Sequence, residues 1–353
     1  MFRLQGKATF NRGQRFLTMT ALAAVALAVW QPAAHADQQD HASFRVDPGL
    51  WAGSPHLKVE NGYAIFWSLT SGQSPNTQLE IFNRAGTELM SVNLAQMLGA
   101  AGGVTIEDVS VSPTGHVAAG VEVADKAGRT HWSLVILGPS GQLFSSTNFS
   151  KGLGILKVAV DEQEHVWALS MGAGPSDPAA APVITKYDRD GSVSGEFLKF
   201  SQFPKDATAV HEGMAAGGDV AFGCLGDKVW LWLPSSQDFV TAGGGSAPQI
   251  VHTGLPAWAG PAAEKQLIRV QKSALLVDGS LLSEVTFLAT SATGSSARDE
   301  LYWWNPKTSL WTVLVLPHAA QRLDAFIGAD VNELVFVRAH RDDSSFEIQW
   351  VSL

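Results

Sequence analysis

Val109–Phe149, VSVSPTGHVAAGVEVADKAGRTHWSLVILGPSGQLFSSTNF, contains four short runs of strand-forming residues separated by turns. Val109–Val111, Val117–Val123, Trp132–Leu137 and Gln142–Phe149 are the runs; Ser112-Pro113-Thr114-Gly115 and Gly138-Pro139-Ser140-Gly141 are turns between them. Pro pre-sets a turn dihedral, Gly supplies positive φ, and β-branched residues suit a pleated surface, so the stretch predicts a small antiparallel sheet.

The rest of the chain repeats this grammar. Before it come Leu57–Val59, Ala64–Ser68, Gln78–Phe82 and Glu88–Leu94, with Leu94–Ala101 as a possible single helical turn. After it come Leu156–Val160, Val166–Ser170, Val183–Tyr187 and Ser192–Phe200. A fourth unit reads as Thr208–Val210, Val220–Cys224, Val229–Leu233 and Phe239–Val240, with Thr241–Pro261 as a Gly- and Pro-rich tail. A fifth opens with Leu267–Val270 or Ala274–Val277, followed by Glu284–Leu288, Glu300–Trp304 and Leu310–Leu316. The sixth, Ala325–Ile327, Leu334–Arg338 and Phe346–Val351, has three strands, and Ser43–Val46 is one strand without a unit.

The first strands end at Val59, Val111, Val160, Val210, Val277 and Ile327, in steps of 52, 49, 50, 67 and 50 residues. A period near 50 with four strands per period is the pattern of radially repeated sheets. The expected fold is therefore all-β: a six-bladed β-propeller of four-stranded blades, the last blade closed by the N-terminal strand. Pairing the two ends of the chain removes the unpaired edge that an incomplete blade would expose. A pair of β-sandwiches is the competing architecture.

Val111-Ser112-Pro113-Thr114-Gly115-His116-Val117, Val160-Asp161-Glu162-Gln163-Glu164-His165-Val166 and Tyr187-Asp188-Arg189-Asp190-Gly191-Ser192 resemble the repeats of NHL-type and gluconolactonase-type propellers. The likeness is one of fold, and a fold does not carry its function with it. Among those families a metal-dependent lactonase-like hydrolase or an NHL-type lyase places its site at the axial channel. The resemblance implies hard oxygen ligands there for a divalent cation such as calcium. Here Glu107, Asp108, Asp206 and Asp324 are the acids available as metal ligands, with no Asn among them. A lyase would use a channel histidine, which makes His211, beside Glu212, the catalytic candidate. Three residues before each register position stand His56, Asp108, Lys157, Ala207, Ala274 and Asp324; Asp108, Lys157 and Asp324 are the expected ligand-binding residues at the channel mouth.

Other motifs read as structure. His116 and His165 occupy equivalent places 49 residues apart, but blades pack about 10 Å apart while both nitrogens must lie about 2 Å from a shared zinc ion. They are expected to be exposed residues flanking turns. Asp188-Arg189-Asp190-Gly191 reads as a tight hairpin rather than a calcium loop, since the ligands that should follow are missing. Trp230 and Trp232 share one face of a strand, and Trp303 and Trp304 take opposite faces.

Residues 1–36 read as an export signal: Arg3, Lys7, Arg12 and Arg15 precede the apolar run Phe16–Trp30, and Ala34-His35-Ala36 offers a cleavage site. The expected product is a periplasmic or extracellular single propeller domain, residues 37–353, with no stable membrane insertion after cleavage. The lone cysteine, Cys224, excludes an intrachain disulfide and reads as buried filler. A net charge of −9 with no basic run beyond the signal excludes nucleic acid as a natural partner. No phosphate loop, Gly-x-Ser-x-Gly or His-Glu-x-x-His occurs. The reading that follows is a non-catalytic binding or interaction scaffold without a cofactor, its partner a protein, peptide or small molecule.

Overall fold

The strands form where the alternating apolar runs stand, and they assemble blade by blade. In the computed structural model, residues 43–46, 56–67, 78–149, 153–172, 182–203, 220–256, 265–276, 278–291, 294–315, 324–340 and 345–353 are described. Residues 1–36, the fourth unit's expected strand Thr208–Val210, Asp206 and His211 lie outside them.

Strand β1 (Ser43–Val46) precedes the first blade, which is β2 (His56–Glu60), β3 (Tyr63–Trp67), β4 (Gln78–Asn83) and β5 (Glu88–Asn93). A one-turn helix α1 (Leu94–Met97), capped by the Asn93 side chain accepting from Gln96 N, leads into the second blade. That blade is β6 (Val104–Val111), β7 (Val117–Ala124), β8 (Thr130–Leu137) and β9 (Leu143–Asn148). The third is β10 (Leu153–Val160), β11 (Val166–Gly172), β12 (Pro182–Tyr187) and β13 (Val193–Lys199); the fourth is β14 (Ala221–Leu225), β15 (Lys228–Leu233), β16 (Asp238–Gly243) and β17 (Ser246–His252). The fifth is β18 (Lys265–Leu275), β19 (Leu281–Ser291), β20 (Gly294–Asn305) and β21 (Leu310–Val313), and β22 (Asp324–Asp330), β23 (Glu333–Ala339) and β24 (Phe346–Ser352) begin the sixth.

Each sheet is a four-stranded antiparallel meander, and the sixth runs β22-β23-β24-β1. Strand β1 pairs with β24 from Ser43 opposite Gln349 to Val46 opposite Phe346, so the N-terminal strand completes the last blade as its edge requires. The first strand of every blade lies beside that of the next, and β22 lies beside β2. This closes a six-bladed β-propeller.

One apolar cluster fills each seam between blades. Ile65 and Trp67 meet Ile106 and Val109 between the first and second, and Trp167 and Leu169 meet Phe222 and Leu231 between the third and fourth. The closing seam packs Val46, Ile348 and Trp350 against Val59 and Phe66. Fully burying one such side chain stabilises the fold by about 1.5–3 kcal/mol, so the core is spread around the ring.

Two expectations need correction. Among the described residues the fourth blade begins with Ala221–Leu225, the run expected as its second strand, and the Gly-rich tail holds its fourth strand; Thr208–Val210 lies outside them. Gly244 and Gly245 have φ of 61° and 70°, the backbone of a two-residue hairpin turn, so Gly243-Gly244-Gly245 folds β17 back on β16. The long interval of the repeat therefore lies between the third and fourth blades. In the fifth blade the two alternatives for the first strand are halves of one strand, Lys265–Leu275, with a register shift between Val270 and Lys272. Val277 lies outside the described residues.

That shift recurs between Ile106 and Asp108, Ile155 and Lys157, and Phe326 and Gly328. A bulge adds one unpaired residue and reverses the side-chain phase. Ile106 and Val109, three apart, thus share the seam with the first blade, while Asp108 and Ser110 turn to the third.

Candidate functional site

The inner edges of β6 and β10 have no neighbouring strand toward the axis, so side chains from the preceding blade satisfy them. Asp108 Oδ2 accepts from Val158 N at 2.9 Å and Ser110 Oγ accepts from Val160 N at 2.9 Å. Glu60 Oε2 accepts from Val111 N at 3.2 Å, and Asn61 Nδ2 donates to Val111 O at 2.7 Å. Lys58 Nζ donates to Val109 O at 2.9 Å and lies 3.4 Å from Glu60 Oε2 and 3.8 Å from Asp108 Oδ2. Lys157 Nζ stands 4.0 Å from Asp108 Oδ1. The result is an ionic chain, Glu60–Lys58–Asp108–Lys157, across the first three blades.

Burial pulls the Lys58 ammonium down, but Asp108 and Glu60 more than offset this and hold it above its ordinary range. Burial pushes the Glu60 carboxyl up, with Lys58 opposing. His56, stacked on Trp67 at 5.3 Å, is lowered by burial and then by Lys157, with Asp108 opposing and Lys272 adding to the fall. His56, Asp108 and Lys157, which stand at equivalent register positions, therefore lie within one another's electrostatic reach. Lys272, not Ala274, joins them from the fifth blade, because it directly follows its bulge as Asp108 and Lys157 follow theirs.

The four acids expected as metal ligands fare differently. Asp108 is 3% exposed and bound to a backbone N–H between two ammonium groups. Such surroundings suit a carboxylate acting as counter-ion and do not fit a hard cation, which needs several free oxygens. Glu107 is the bulge residue of β6; burial pushes its carboxyl up, as does Glu122. Asp324 is the first residue of β22, opposite Arg338, and its side chain, like all of Asp206 and His211, is outside the described residues. Among the described residues no three His, Cys, Asp or Glu side chains are placed to hold a metal ion.

On the face where the first hairpins turn, a cavity of about 250 Å³ opens on the axis. Lys58 and Glu60 reach it from β2, Phe222–Leu225 and Trp230 from the fourth blade, and Ser273–Leu275 and Ile327–Asp330 from the fifth and sixth. Pro113, Asp161 and Glu162 belong to its rim. Cys224 is partly accessible in this wall rather than sealed filler, and burial, then Glu60 and Asp161, push its thiol well above the ordinary value. That favours the protonated thiol and slows its reaction with thiol reagents.

His116 is the second correction to a site residue. It is 8% exposed, not an exposed turn residue, and sits between the second and third blades. The turn Ser112–His116 closes with Ser112 N donating to His116 O at 2.8 Å and places His116 Nδ1 3.0 Å from both Thr114 Oγ1 and Glu164 Oε1. The hairpin Asp188–Ser192, a tight turn as expected with Gly191 at φ 83°, presents Arg189. Its Nη2 lies 2.7 Å from His116 Nε2, its Nη1 2.9 Å from Glu164 Oε2, and its guanidinium 4.4 Å above the Phe144 ring. Burial lowers His116, Glu164 opposes and Arg189 lowers it further. His165 is tied instead to the 1%-exposed Asp161, which also accepts from Trp167 Nε1 at 3.0 Å.

With this geometry in view, the comparisons bear on fold alone. No family model matches the chain, and no curated protein matches it. Among solved structures, a streptogramin B lyase is 11% identical, covering 88% of this chain and 97% of its own at a TM-score of 0.42. A protein of unknown function from Bacteroides caccae is 10% identical over 79% of this chain and 80% of its own, with a TM-score of 0.39. A luciferin-regenerating enzyme is 11% identical over 85% and 90%, with a TM-score of 0.38. The six sheets and their closure rest on this chain's own pairing.

Sequence reasoning missed Lys58, Glu60, Lys272, Glu164 and Arg189. The repeat itself was the signal that could have found several: Lys58 to Val109, Glu60 to Val111, Asp108 to Val158 and Thr114 to Glu164 are each separated by 50 or 51 residues.

Proposed function

We propose that the protein is an exported, non-catalytic binding scaffold that takes a small molecule, or a side chain of a peptide or protein, into the axial cavity. One observation carries the reading: the charged groups beside the cavity are committed to each other and to backbone, while the wall of β14, β18 and β22 faces open space. Lys58 has acceptors for its donors, Asp108 is a counter-ion and the Cys224 thiol is held protonated, so among the described residues of the cavity no nucleophile stands beside a base. A wall of Phe222 and Trp230 with a few convergent polar groups is the composition of a binding site. Export rests on the signal read in residues 1–36.

The test is a ligand screen on the purified protein, by thermal shift, with blocking of Cys224 by a thiol reagent as the control. A ligand that raises the melting temperature, protects Cys224 and loses its effect once Cys224 is blocked supports the reading. Turnover of lactones dependent on a divalent cation, lost on substituting Asp108, Asp206 or Asp324, overturns it in favour of a metal-dependent hydrolase.

A further inference from the structure

We infer that the axial cavity is selective for cations and that its ligand is a small organic ammonium ion carrying a neutral oxygen acceptor. This names the chemistry of the ligand in the binding role proposed above and rests on that role. The charge of the wall sets the sign. Four carboxylates line the cavity, Glu60, Asp161, Glu162 and Asp330, against one ammonium, Lys58. The other lysines of the axis, Lys157 and Lys272, follow their bulges and are not part of this wall.

Hydrogen bonds hold these carboxylates in place without cancelling their charge. Asp161 Oδ1 accepts from the backbone N–H groups of Gln163 and His165 at 3.0 Å and 2.9 Å, and its Oδ2 accepts from Trp167 Nε1. Asp330 Oδ2 accepts from Gly62 N at 2.7 Å, and Glu60 Oε2 from Val111 N at 3.2 Å. A neutral N–H donor stabilises a carboxylate as the anion. The cations nearby are fewer and already engaged. Lys58 is shared between Glu60 and Asp108, Arg84 is bound to Glu333 at 2.8 Å, and Lys186, outside the lining, lies 3.8 Å from Asp161. The Cys224 thiol, in the same wall, feels this balance: beyond burial, Glu60 and Asp161 push it up, and Lys58 and Lys186 oppose them less strongly.

The second observation is a donor with nothing to donate to. Trp230 is 7% exposed, and its Nε1–H has no acceptor among the described residues. Its indole lies over Gly223, its partner on β14, where an added Cβ would stand 2.7 Å from Nε1. The glycine leaves the room that brings this edge of the ring to the innermost strand, and both residues line the cavity. A nearly buried indole N–H at a cavity wall calls for an acceptor on the ligand. Phe222, Leu225 and Ile327 supply apolar wall for its carbon.

A metal ion does not meet these terms. A hard cation needs several free oxygens around one point, and among the described residues no three His, Cys, Asp or Glu side chains are so placed. An anion would be repelled by the four carboxylates. An organic ammonium ion needs only the field for its charge, the indole N–H for a hydroxyl or carbonyl oxygen, and the apolar wall for the rest.

Cys224, the only cysteine, reads the field without any ligand. Its labelling by 2-(trimethylammonio)ethyl methanethiosulfonate is compared with labelling by the anionic 2-sulfonatoethyl analogue, each rate divided by that of 2-mercaptoethanol. Both reagents attack the same thiolate, so its raised pKa cancels in the ratio. The cationic reagent should be favoured about tenfold or more at low salt, and less as salt is added. Glu60→Gln, which keeps an oxygen for Val111 N, and Glu162→Gln, at an exposed position of the rim, should each lower the ratio. A ratio near one in the native protein overturns the cation selectivity; a ratio that neither variant lowers overturns its assignment to these acids. Circular dichroism verifies that each variant is folded, and Glu162→Gln alone decides the second point.

Protection by a ligand is the separate arm. 2-Amino-1-phenylethanol and 3-hydroxy-3-phenylpropanoate share a ring and a hydroxyl and differ in the sign of their charge. The amine should slow labelling by neutral methyl methanethiosulfonate at concentrations where the acid does not, and Trp230→Phe should weaken its protection several-fold. Equal protection by both compounds, or better protection by the acid, overturns the ligand class and leaves the binding role standing. Undiminished protection in Trp230→Phe overturns the part given to the indole N–H. A ratio that favours the cation, with protection by neither compound, counts against the binding role and leaves the charge selectivity of the cavity standing.

Discussion

Asp108 is held between Lys58 and Lys157 while accepting a backbone N–H, so its removal strands two kinds of partner at once. Asp108→Ala should cost about 3 kcal/mol, as measured by urea unfolding, because it leaves the buried Val158 N–H without its acceptor and removes the counter-charge between Lys58 and Lys157. Asp108→Asn keeps an oxygen for Val158 N and should lose about half as much. His116 supplies the pH dependence at this scale. Its folded pKa is lowered, so between that value and the ordinary 6.5 the unfolded chain binds more protons than the folded one. Its contribution to stability is complete above about pH 6.5, falls as pH drops below it, and changes no further once the folded form has titrated. Melting temperatures across that range should show the fall in the native protein and not in His116→Gln. Asp108 was singled out by its register alone. Its partner Lys58 was not, because nothing local in the run Leu57–Val59 says which way a lysine within a short strand points.

Individual strands were legible wherever alternation and turn chemistry agreed. The second blade kept its four strands and both turns, with Gly115 and Gly141 at φ 84° and 79°, while its first strand runs back from Val109–Val111 to Val104. The fourth blade failed for a physical reason. Consecutive glycines resemble a linker in composition, whereas here Gly244 and Gly245 are what a tight hairpin requires. Gly245 isolates the effect, since a Cβ there would meet nothing within 4 Å. Gly245→Ala should therefore destabilise by about 1 kcal/mol through backbone strain alone, read by denaturant midpoint, and Gly245→Asn by less. The bulges were invisible for a related reason: an extra residue such as Glu107 leaves composition unchanged and only shifts the side-chain phase.

Over the whole molecule, closure is the property that matters most. Strand β1 is four residues long, yet it supplies the last edge of the sixth blade and packs Val46 into the seam with the first. Phe44 lies 6.0 Å from both Phe82 and Trp350, and Gly86 has no side chain where a Cβ would stand 2.9 Å from Phe44. Arg84 and Glu333 join the same two blades at 2.8 Å and 2.9 Å, and Gly62 N donates to Asp330 at 2.7 Å. Val46→Asp, at a position 2% exposed, would bury an unpaired carboxylate in this seam. It should cost about 3 kcal/mol or more and turn one cooperative thermal transition into a broader one, followed by Trp fluorescence and calorimetry. A loss limited to a few tenths of a kcal/mol would mean that the ring does not depend on this strand.

By itself the amino-acid sequence determined the strands, the period near 50, the count of six units and the pairing of the chain's two ends. These follow from turn residues, alternation and the cost of an open sheet edge, all of which act along short stretches or can be counted. Tertiary structure decided where the described strands of the fourth blade lie, that Lys272 acts on His56 while Ala274 lines the axial cavity, and that His116 is buried against Arg189. It also decided that Asp108 is a counter-ion to lysines. Each of these depends on side chains from different blades meeting across a seam, a contact set by the packing of neighbouring sheets and not by the residues on either side in the chain.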